Sequence, residues 1–95
     1  MTTEQLCQDI LRHVGNENYV NWYVGITSDI KQRLFGEHSV HETMHKWIHG
    51  QAINADHARS AEARLLRLGF DGGTGGGDSS SAFVYAFRKD VGTVR

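Results

Sequence analysis

Large apolar residues occupy every second position from 20 to 26, and polar or small residues lie between them. An alternation of period two predicts a β-strand whose apolar side chains all face one way. Tyr23 belongs to the other set. We therefore expect its ring to lie on the opposite face, outside the packing of those apolar residues.

Helical periodicity predicts a helix on each side of this strand. The first begins with a capping box at Thr2 and stops at Gly15. The second comes directly after the strand and ends near Gly36, with Leu34 on its apolar edge and Arg33 one position off that edge. The strand and the second helix thus present a tyrosine and an arginine in succession.

Further along the chain, the longest helical signal runs from Ala55 to Leu68, with Gly69 just past its end. Residues 41 to 49 are predicted to form a short helix. The glycine-rich stretch 71 to 81 cannot hold regular structure, because glycine loses too much backbone entropy on folding. Residues 82 to 88 are apolar at nearly every position, which indicates a central strand covered on both faces.

Together these elements predict an α+β fold, in which helices pack against a small, twisted, mainly antiparallel sheet. The 95 residues suffice for a single domain with a small core, and we expect residues 90 to 95 to fray. A net charge of −1 argues against coating nucleic acid through bulk positive charge. The single cysteine, Cys7, excludes an internal disulfide, and without a signal peptide or long apolar run we expect a cytoplasmic protein with no membrane partner.

In the longest predicted helix, Glu62 is a charged residue at a position that faces the apolar core. At about 100° per residue it falls inside the apolar arc, whereas Arg59, Arg64 and Arg67 lie outside it. A carboxylate turned inward needs a partner, since its desolvation is costly. That partner is an arginine such as Arg33 in a structural ion pair, a divalent cation, or a water that Glu62 positions.

A tyrosine, an arginine and a glutamate on separate elements are groups that can hydrolyse a phosphodiester. Arginine matches the geometry of phosphate, a glutamate holds Mg²⁺, and a tyrosine can orient or deprotonate water. In their order and spacing these groups resemble the GIY-YIG nuclease superfamily. The resemblance rests on Tyr23-Val24-Gly25 at the second signature triplet, on Arg33-Leu34 with His38 beyond it, and on Glu62, and it covers about residues 22 to 88.

This resemblance implies a role for each residue that carries it. Arg33 would contact the scissile phosphate and Glu62 would bind Mg²⁺ or Mn²⁺. Tyr23 would act on or near the nucleophilic water, and His38 would be a proton donor or phosphate ligand. The implied partner is nucleic acid, DNA in particular, with a protein partner as a further option. The surface that meets nucleic acid would include Lys31, Arg33, Arg59 and Thr74.

The chain departs from the family in its first tyrosine. The first triplet, which lies on an earlier strand in the family, is absent here, and Tyr19 is too close to Tyr23 to belong to a separate hairpin strand. Tyr85, on the predicted central strand, either stands in for the missing tyrosine or is a core aromatic. The separation of Arg33 and His38 is also one residue longer than the i, i+4 step that shares a helix face.

Three histidines, His41, His45 and His49, recur at intervals of four residues. On a helix they would share a face and could coordinate a transition metal. The alternative is a solvated or DNA-facing stripe, which the neighbouring Lys46 favours.

The glycine-rich stretch is either a flexible connector or a loop that closes over a nucleic-acid backbone, with Thr74 and residues 78 to 80 in contact. The sequence leaves three hypotheses on function. The preferred one is a GIY-YIG-like, divalent-metal-dependent endonuclease. The second is a catalytically inactive, nuclease-derived module that binds nucleic acid or protein, and the third is a histidine-dependent metal-binding protein.

Overall fold

A three-stranded antiparallel sheet lies at the centre of the molecule, and the last strand in the chain is its middle strand. The computed structural model describes residues 1–73 and 80–95. Strands β1 (Trp22–Thr27) and β2 (Trp47–Gln51) form the two edges, and each pairs with β3 (Phe83–Arg88). The α+β class and the central strand predicted for residues 82 to 88 are confirmed.

Two helices, α1 (Thr3–Val14) and α2 (Ala55–Leu68), cover one face of the sheet. Their ends agree with the sequence signals: Thr2 and Gln5 form a capping box, and Gly69 ends α2 in a left-handed conformation with φ of 117°. Within the described residues, no helix has the length and apolarity needed to cross a bilayer. The main core unites α1 and α2 with alternate strand residues, among them Leu6, Ile10, Trp22, Val24, Leu65 and Val84.

A π-helical segment, Lys31–Glu37, packs against the other face of the sheet. Its Leu34, with Val40, forms a second and smaller core on Tyr85 and Phe87. Because β3 is covered on both sides, Tyr85 is 1% exposed and Phe87 is fully buried. The helix predicted to end near Gly36 is therefore present, but it has the wider π geometry.

The short helix predicted for residues 41 to 49 is wrong. Residues 47 to 51 form β2, because Trp47 and Ile48 favour a half-buried strand and the edge of β3 offers them a hydrogen-bonding partner. In the preceding turn, the His41 imidazole accepts from the backbone N–H groups of Thr43 and Met44. Such side-chain bonds compete with helical ones, and Met44 in this turn is 78% exposed.

Two other expectations are also corrected. Val20 does not belong to β1 but lies in a short 3₁₀ turn and is 60% exposed. The C-terminal residues, expected to fray, are bonded to the body of the protein. The Val94 N–H donates to the His38 carbonyl oxygen at 2.7 Å, and Arg95 lies 3.0 Å from Asp71.

A methyl group at position 25 is expected to destabilise the fold. A Cβ built on Gly25 would lie 2.5 Å from the Tyr85 ring carbon that bears the hydroxyl, so the phenol would have to move. We expect Gly25→Ala to lower the free energy of unfolding by about 1–3 kcal/mol, as overpacked cores do, measured by urea denaturation. Gly36→Ala is the control, because its nearest neighbour would be the Lys31 carbonyl oxygen at 3.9 Å. Equal losses in the two variants would contradict the prediction.

Candidate functional site

The pairing of β1 with β3 brings two tyrosines to one face of the sheet. Tyr23 lies opposite Phe87 in the register, and Gly25 lies opposite Tyr85. The Tyr23 ring stacks on Phe87 with centroids 5.3 Å apart, and the Tyr85 phenol crosses Gly25 in space that a side chain at position 25 would need. The glycine of the Tyr23-Val24-Gly25 triplet therefore makes room for Tyr85.

A π-helical turn brings Arg33 and His38 together after β1. The His38 N–H donates to the Arg33 carbonyl oxygen at 3.0 Å, a bond between residues five positions apart. Arg33 and His38 are five residues apart, one more than an α-helical step, and this spacing matches the wider π turn that the chain adopts. π turns of this kind recur at functional sites.

The His38 imidazole is held between the C-terminal segment and Tyr85. Its Nδ1 lies 2.6 Å from the Val94 carbonyl oxygen. Because a carbonyl only accepts, Nδ1 carries the proton, and Nε2 must then accept from the Tyr85 hydroxyl at 2.8 Å. Burial lowers the pKa of His38, the charge of Arg33 acts in the same direction, and the Val94 bond partly opposes it. The ring is therefore a neutral proton acceptor at neutral pH.

Tyr85 is the residue that the other site residues surround. Burial raises the pKa of its hydroxyl well above the ordinary value, and Tyr23 adds to this effect. The positive charge of Arg33 lowers the pKa of Tyr85, while the carboxylate of Glu62 raises it. All four catalytic positions predicted from the sequence thus lie within bonding or electrostatic range of Tyr85.

Arg33 has a buried donor that the protein does not satisfy. Its Nε lies 3.2 Å from Glu37 Oε2, one turn along the same segment. The contact is not aligned as a hydrogen bond, and among the described residues this Nε has no hydrogen-bond partner. The Arg33 side chain is 33% exposed, so part of it faces solvent although Nε itself is buried.

Glu62 is buried on α2 as the helical pattern predicts, with 8% of its surface exposed. Burial raises the pKa of this carboxyl, and Arg59 only partly offsets the rise. Within the part of the chain that the structure describes, no salt bridge of Glu62 is found, and Arg59 is the opposite charge that acts on it. The structural ion pair with Arg33 is therefore not formed, since the carboxylate beside Arg33 belongs to Glu37.

A buried carboxylate without a protein partner fits a hard divalent cation. Mg²⁺ is commonly bound through one or two carboxylates and keeps several waters, so Glu62 alone can supply the protein ligand. The described residues hold no group of three or more histidine, cysteine or carboxylate side chains arranged for a metal.

The three histidines spaced by four do not share a helix face. His45 accepts from the His41 backbone N–H at 2.7 Å through Nδ1 and donates to the Val91 carbonyl oxygen at 3.0 Å through Nε2. His49 lies on β2, where its ring stacks on Trp47. The helix face on which these histidines could have coordinated a transition metal is not formed, because the segment is a turn and a strand.

The residues expected to contact nucleic acid lie at different places. Lys31 is exposed at the start of the π-helical segment and Arg59 is exposed on α2. Thr74 and the glycine-rich loop around it fall in residues 74–79, outside the described residues.

Sequence reasoning missed two contacts of the site. Glu37 had a usable signal, since it lies four residues after Arg33, the spacing that allows an ion pair on a helix. Val94 had none, because it acts through its backbone carbonyl.

No family model, curated protein or solved structure matches this chain. Any assignment of function therefore depends on the geometry described above and on the sequence resemblance.

The hydrogen bonds of His38 predict its tautomer. We expect a proton on Nδ1 and a bare Nε2 in long-range ¹⁵N–¹H correlation spectra, because Val94 offers only an acceptor. His45 is an internal control with the opposite tautomer, since its Nε2 donates to Val91. The same tautomer at both histidines would contradict the geometry.

Glu62→Gln is expected to raise the free energy of unfolding at neutral pH. Burial raises the pKa of Glu62 above its ordinary 4.5, so the folded protein keeps a proton that the unfolded chain releases. The stability that the protonated Glu62 carboxyl contributes to the fold is fully present below pH 4.5. It is lost as the pH rises through the folded-state pKa of Glu62. We expect a gain of about 0.5–2 kcal/mol at neutral pH that disappears in acid, measured by urea denaturation.

Glu42→Gln is the control for this experiment, because Glu42 is exposed and its replacement should change stability little at either pH. A gain for Glu62→Gln that is the same in acid and at neutral pH would contradict the role of its buried charge.

Proposed function

We propose that this chain is a GIY-YIG-like, divalent-metal-dependent endonuclease in which Tyr85 takes the place of the missing first tyrosine. One observation carries the proposal: the buried Nε of Arg33 has no hydrogen-bond partner among the described residues, and Glu62, which is 8% exposed, does not pair with Arg33. Buried polar groups that lack a hydrogen-bond partner are unfavourable unless a ligand satisfies them. A phosphodiester would satisfy Arg33, and a divalent cation would satisfy Glu62.

The sheet topology supports the role of Tyr85. In the family the first tyrosine reaches the site from a strand that precedes the second triplet, whereas β3 comes after it by more than half the chain. Neighbouring strands place their side chains by register and not by order along the chain. A tyrosine on β3 opposite Gly25 can therefore serve where an earlier strand would otherwise supply one.

Arg33 would bind the scissile phosphate. Its planar guanidinium matches two phosphate oxygens and offsets the negative charge that develops in the transition state. The buried Nε donor has no aligned hydrogen bond to give up, although Glu37 would have to release its contact for a phosphate to take its place. A divalent cation held by Glu62 would supply further charge stabilisation at the leaving oxygen.

Tyr85 and His38 would move the proton of the attacking water. The Tyr85 oxygen would accept the proton of the water. At the same time the hydroxyl proton of Tyr85 would pass to Nε2 of His38 along their 2.8 Å hydrogen bond. The imidazolium that results keeps its other N–H on the Val94 carbonyl. Tyr23, which is partly exposed and packs against His38 with centroids 4.9 Å apart, would orient the water.

A second function, an inactive module that binds nucleic acid or protein, is favoured by one observation. The Tyr85 side chain is 1% exposed, which restricts access of water to its hydroxyl. An inactive module would keep the arginine and the sheet face for binding and would cut nothing.

Cleavage of labelled single-stranded, duplex and branched DNA with Mg²⁺ or Mn²⁺ tests the proposal. We expect Tyr85→Phe to lose about 10²–10⁴-fold in rate, since it removes the proton acceptor. Arg33→Ala and Glu62→Gln should lose activity at least as severely, because each removes charge from the transition state.

Glu4→Gln is the control for the cleavage assay, because Glu4 lies on α1 and pairs with Arg64. It should cut at the wild-type rate. Cutting that persists in Arg33→Ala and Glu62→Gln would overturn the assignment, and no cutting by the wild-type protein with either metal would leave the binding module as the better account.

A further inference from the structure

Residues 89–95 follow β3 and form a closed turn, which we call the strap. The Asp90 N–H donates to the Thr93 hydroxyl at 3.1 Å, and that hydroxyl donates to the Asp90 carbonyl oxygen at 2.8 Å. The Thr93 N–H donates to the same carbonyl oxygen at 3.1 Å. Gly92 allows the chain to reverse there, since its φ of 94° is one that residues with side chains rarely adopt. The strap therefore has a conformation of its own, even though Val91 at its tip is 98% exposed.

Val94 of the strap binds His38 through both of its backbone groups. Its N–H donates to the His38 carbonyl oxygen at 2.7 Å, and its own carbonyl oxygen accepts from His38 Nδ1 at 2.6 Å. The rest of the imidazole is packed against the rings of Tyr23, Tyr85 and Phe87, with centroids 4.9 to 5.5 Å apart. His38 is only 6% exposed. The strap thus covers the ring nitrogen that does not contact Tyr85.

Two cationic side chains of the strap, one at each end, bind the carboxylate of Asp71. Lys89 Nζ lies 3.1 Å from Asp71 Oδ2, and Arg95 Nη1 lies 3.0 Å from the same oxygen. The hydrogen bond from Lys89 is the largest effect that lowers the pKa of Asp71; burial opposes it, and Arg95 adds to the lowering. The carboxylate is therefore charged at neutral pH and holds both ends of the strap.

Asp71 is itself fixed to the sheet. Its N–H donates to the Trp22 carbonyl oxygen and its own carbonyl oxygen accepts from the Val24 N–H, both at 2.9 Å, so its backbone pairs with the outer edge of β1. An exposed ion pair contributes little when both partners must be ordered to form it, but here the backbone of the acidic partner is already held. Because Arg95 follows Val94 directly in the chain, its ion pair limits where Val94 can lie.

We propose that Asp71 is a positioning residue of the candidate site: it anchors the strap, and the strap fixes His38 as the proton acceptor of Tyr85. The proton of a neutral imidazole stays on the nitrogen whose hydrogen-bond partner can only accept. With Val94 in place that nitrogen is Nδ1, which leaves Nε2 bare toward the Tyr85 hydroxyl. Without the strap, Nδ1 would meet water, which donates as well as accepts, so both tautomers would be populated. The inference rests on the proposed function only for its effect on cleavage, since the tautomer is measured without a substrate.

Two NMR measurements on the full chain test the inference in Arg95→Ala and Asp71→Lys. Hydrogen exchange of the Val94 N–H reports opening of the strap, and we expect it to be about two- to fivefold faster in Arg95→Ala, as loss of an exposed ion pair allows. In Asp71→Lys a third cation beside Lys89 and Arg95 repels both, so the exchange rate should approach that of an unprotected amide. Long-range ¹⁵N–¹H spectra of Asp71→Lys should then show a fraction of His38 molecules with the proton on Nε2.

Arg12→Ala is the matched control, because Arg12 also pairs with an aspartate, Asp9, at 3.3 Å, but lies on α1 outside the strap. It should change neither measurement. The Arg95 side chain is 64% exposed, so its replacement leaves the core intact. Within each variant the Val24 N–H, which donates to the Asp71 carbonyl oxygen, should keep its exchange rate and so report that the sheet is unchanged.

An unchanged exchange rate at Val94 in both variants would overturn the role of Asp71 as the anchor. If the Val94 N–H of Asp71→Lys is unprotected and His38 still carries its proton only on Nδ1, the strap does not position the imidazole and the inference is wrong. If the wild-type protein cuts DNA, Asp71→Lys should cut more slowly as the fraction with a bare Nε2 falls. The same tautomer change in a protein whose wild type cuts nothing would support the strap and refute the nuclease.

Discussion

The approach of the Tyr85 phenol to the backbone of Gly25 is the constraint on which the site depends. It requires a residue without a side chain on β1 and an aromatic residue opposite it on β3. Once the phenol lies there, its hydroxyl can reach His38, and the π-helical segment must pass over the sheet at the matching height. The same strand pairing therefore fixes both the sheet and the positions of the polar groups above it.

The two faces of the sheet differ in the side chains that pack on them. On the helical face, apolar side chains from α1, α2 and the strands form the main core, and nearly all of them are fully buried. On the other face, a small core around Leu34 and Phe87 supports polar groups whose partners are incomplete. Buried polar groups without partners reduce stability, and the main core carries the fold despite that cost.

The sequence predicts much of the fold because its signals are local. The capping box at Thr2, the glycine after α2 and the inward position of Glu62 arise from short spacings along one helix. The strand β2 could not be predicted in this way, because the conformation of Trp47 depends on an edge of β3 that lies far away in the chain. Of the site, Tyr23, Arg33, His38 and Glu62 could be placed near one another by resemblance. The contact of His38 with Val94 could not, since a backbone carbonyl leaves no mark in the sequence.

The place of β3 in the middle of the sheet also affects how the protein is made. A chain synthesised only as far as residue 82 contains β1 and β2, but not the strand that joins them. Tyr23, Arg33 and Glu62 are present in such a chain, yet Tyr85 and the carbonyl that holds His38 are still to be added. Because long-range strand pairing waits for its last partner, Tyr85 and His38 can meet only after β3 has been synthesised. The order of the strands thus delays the contact of Tyr85 with His38 until β3 is present in the nascent chain.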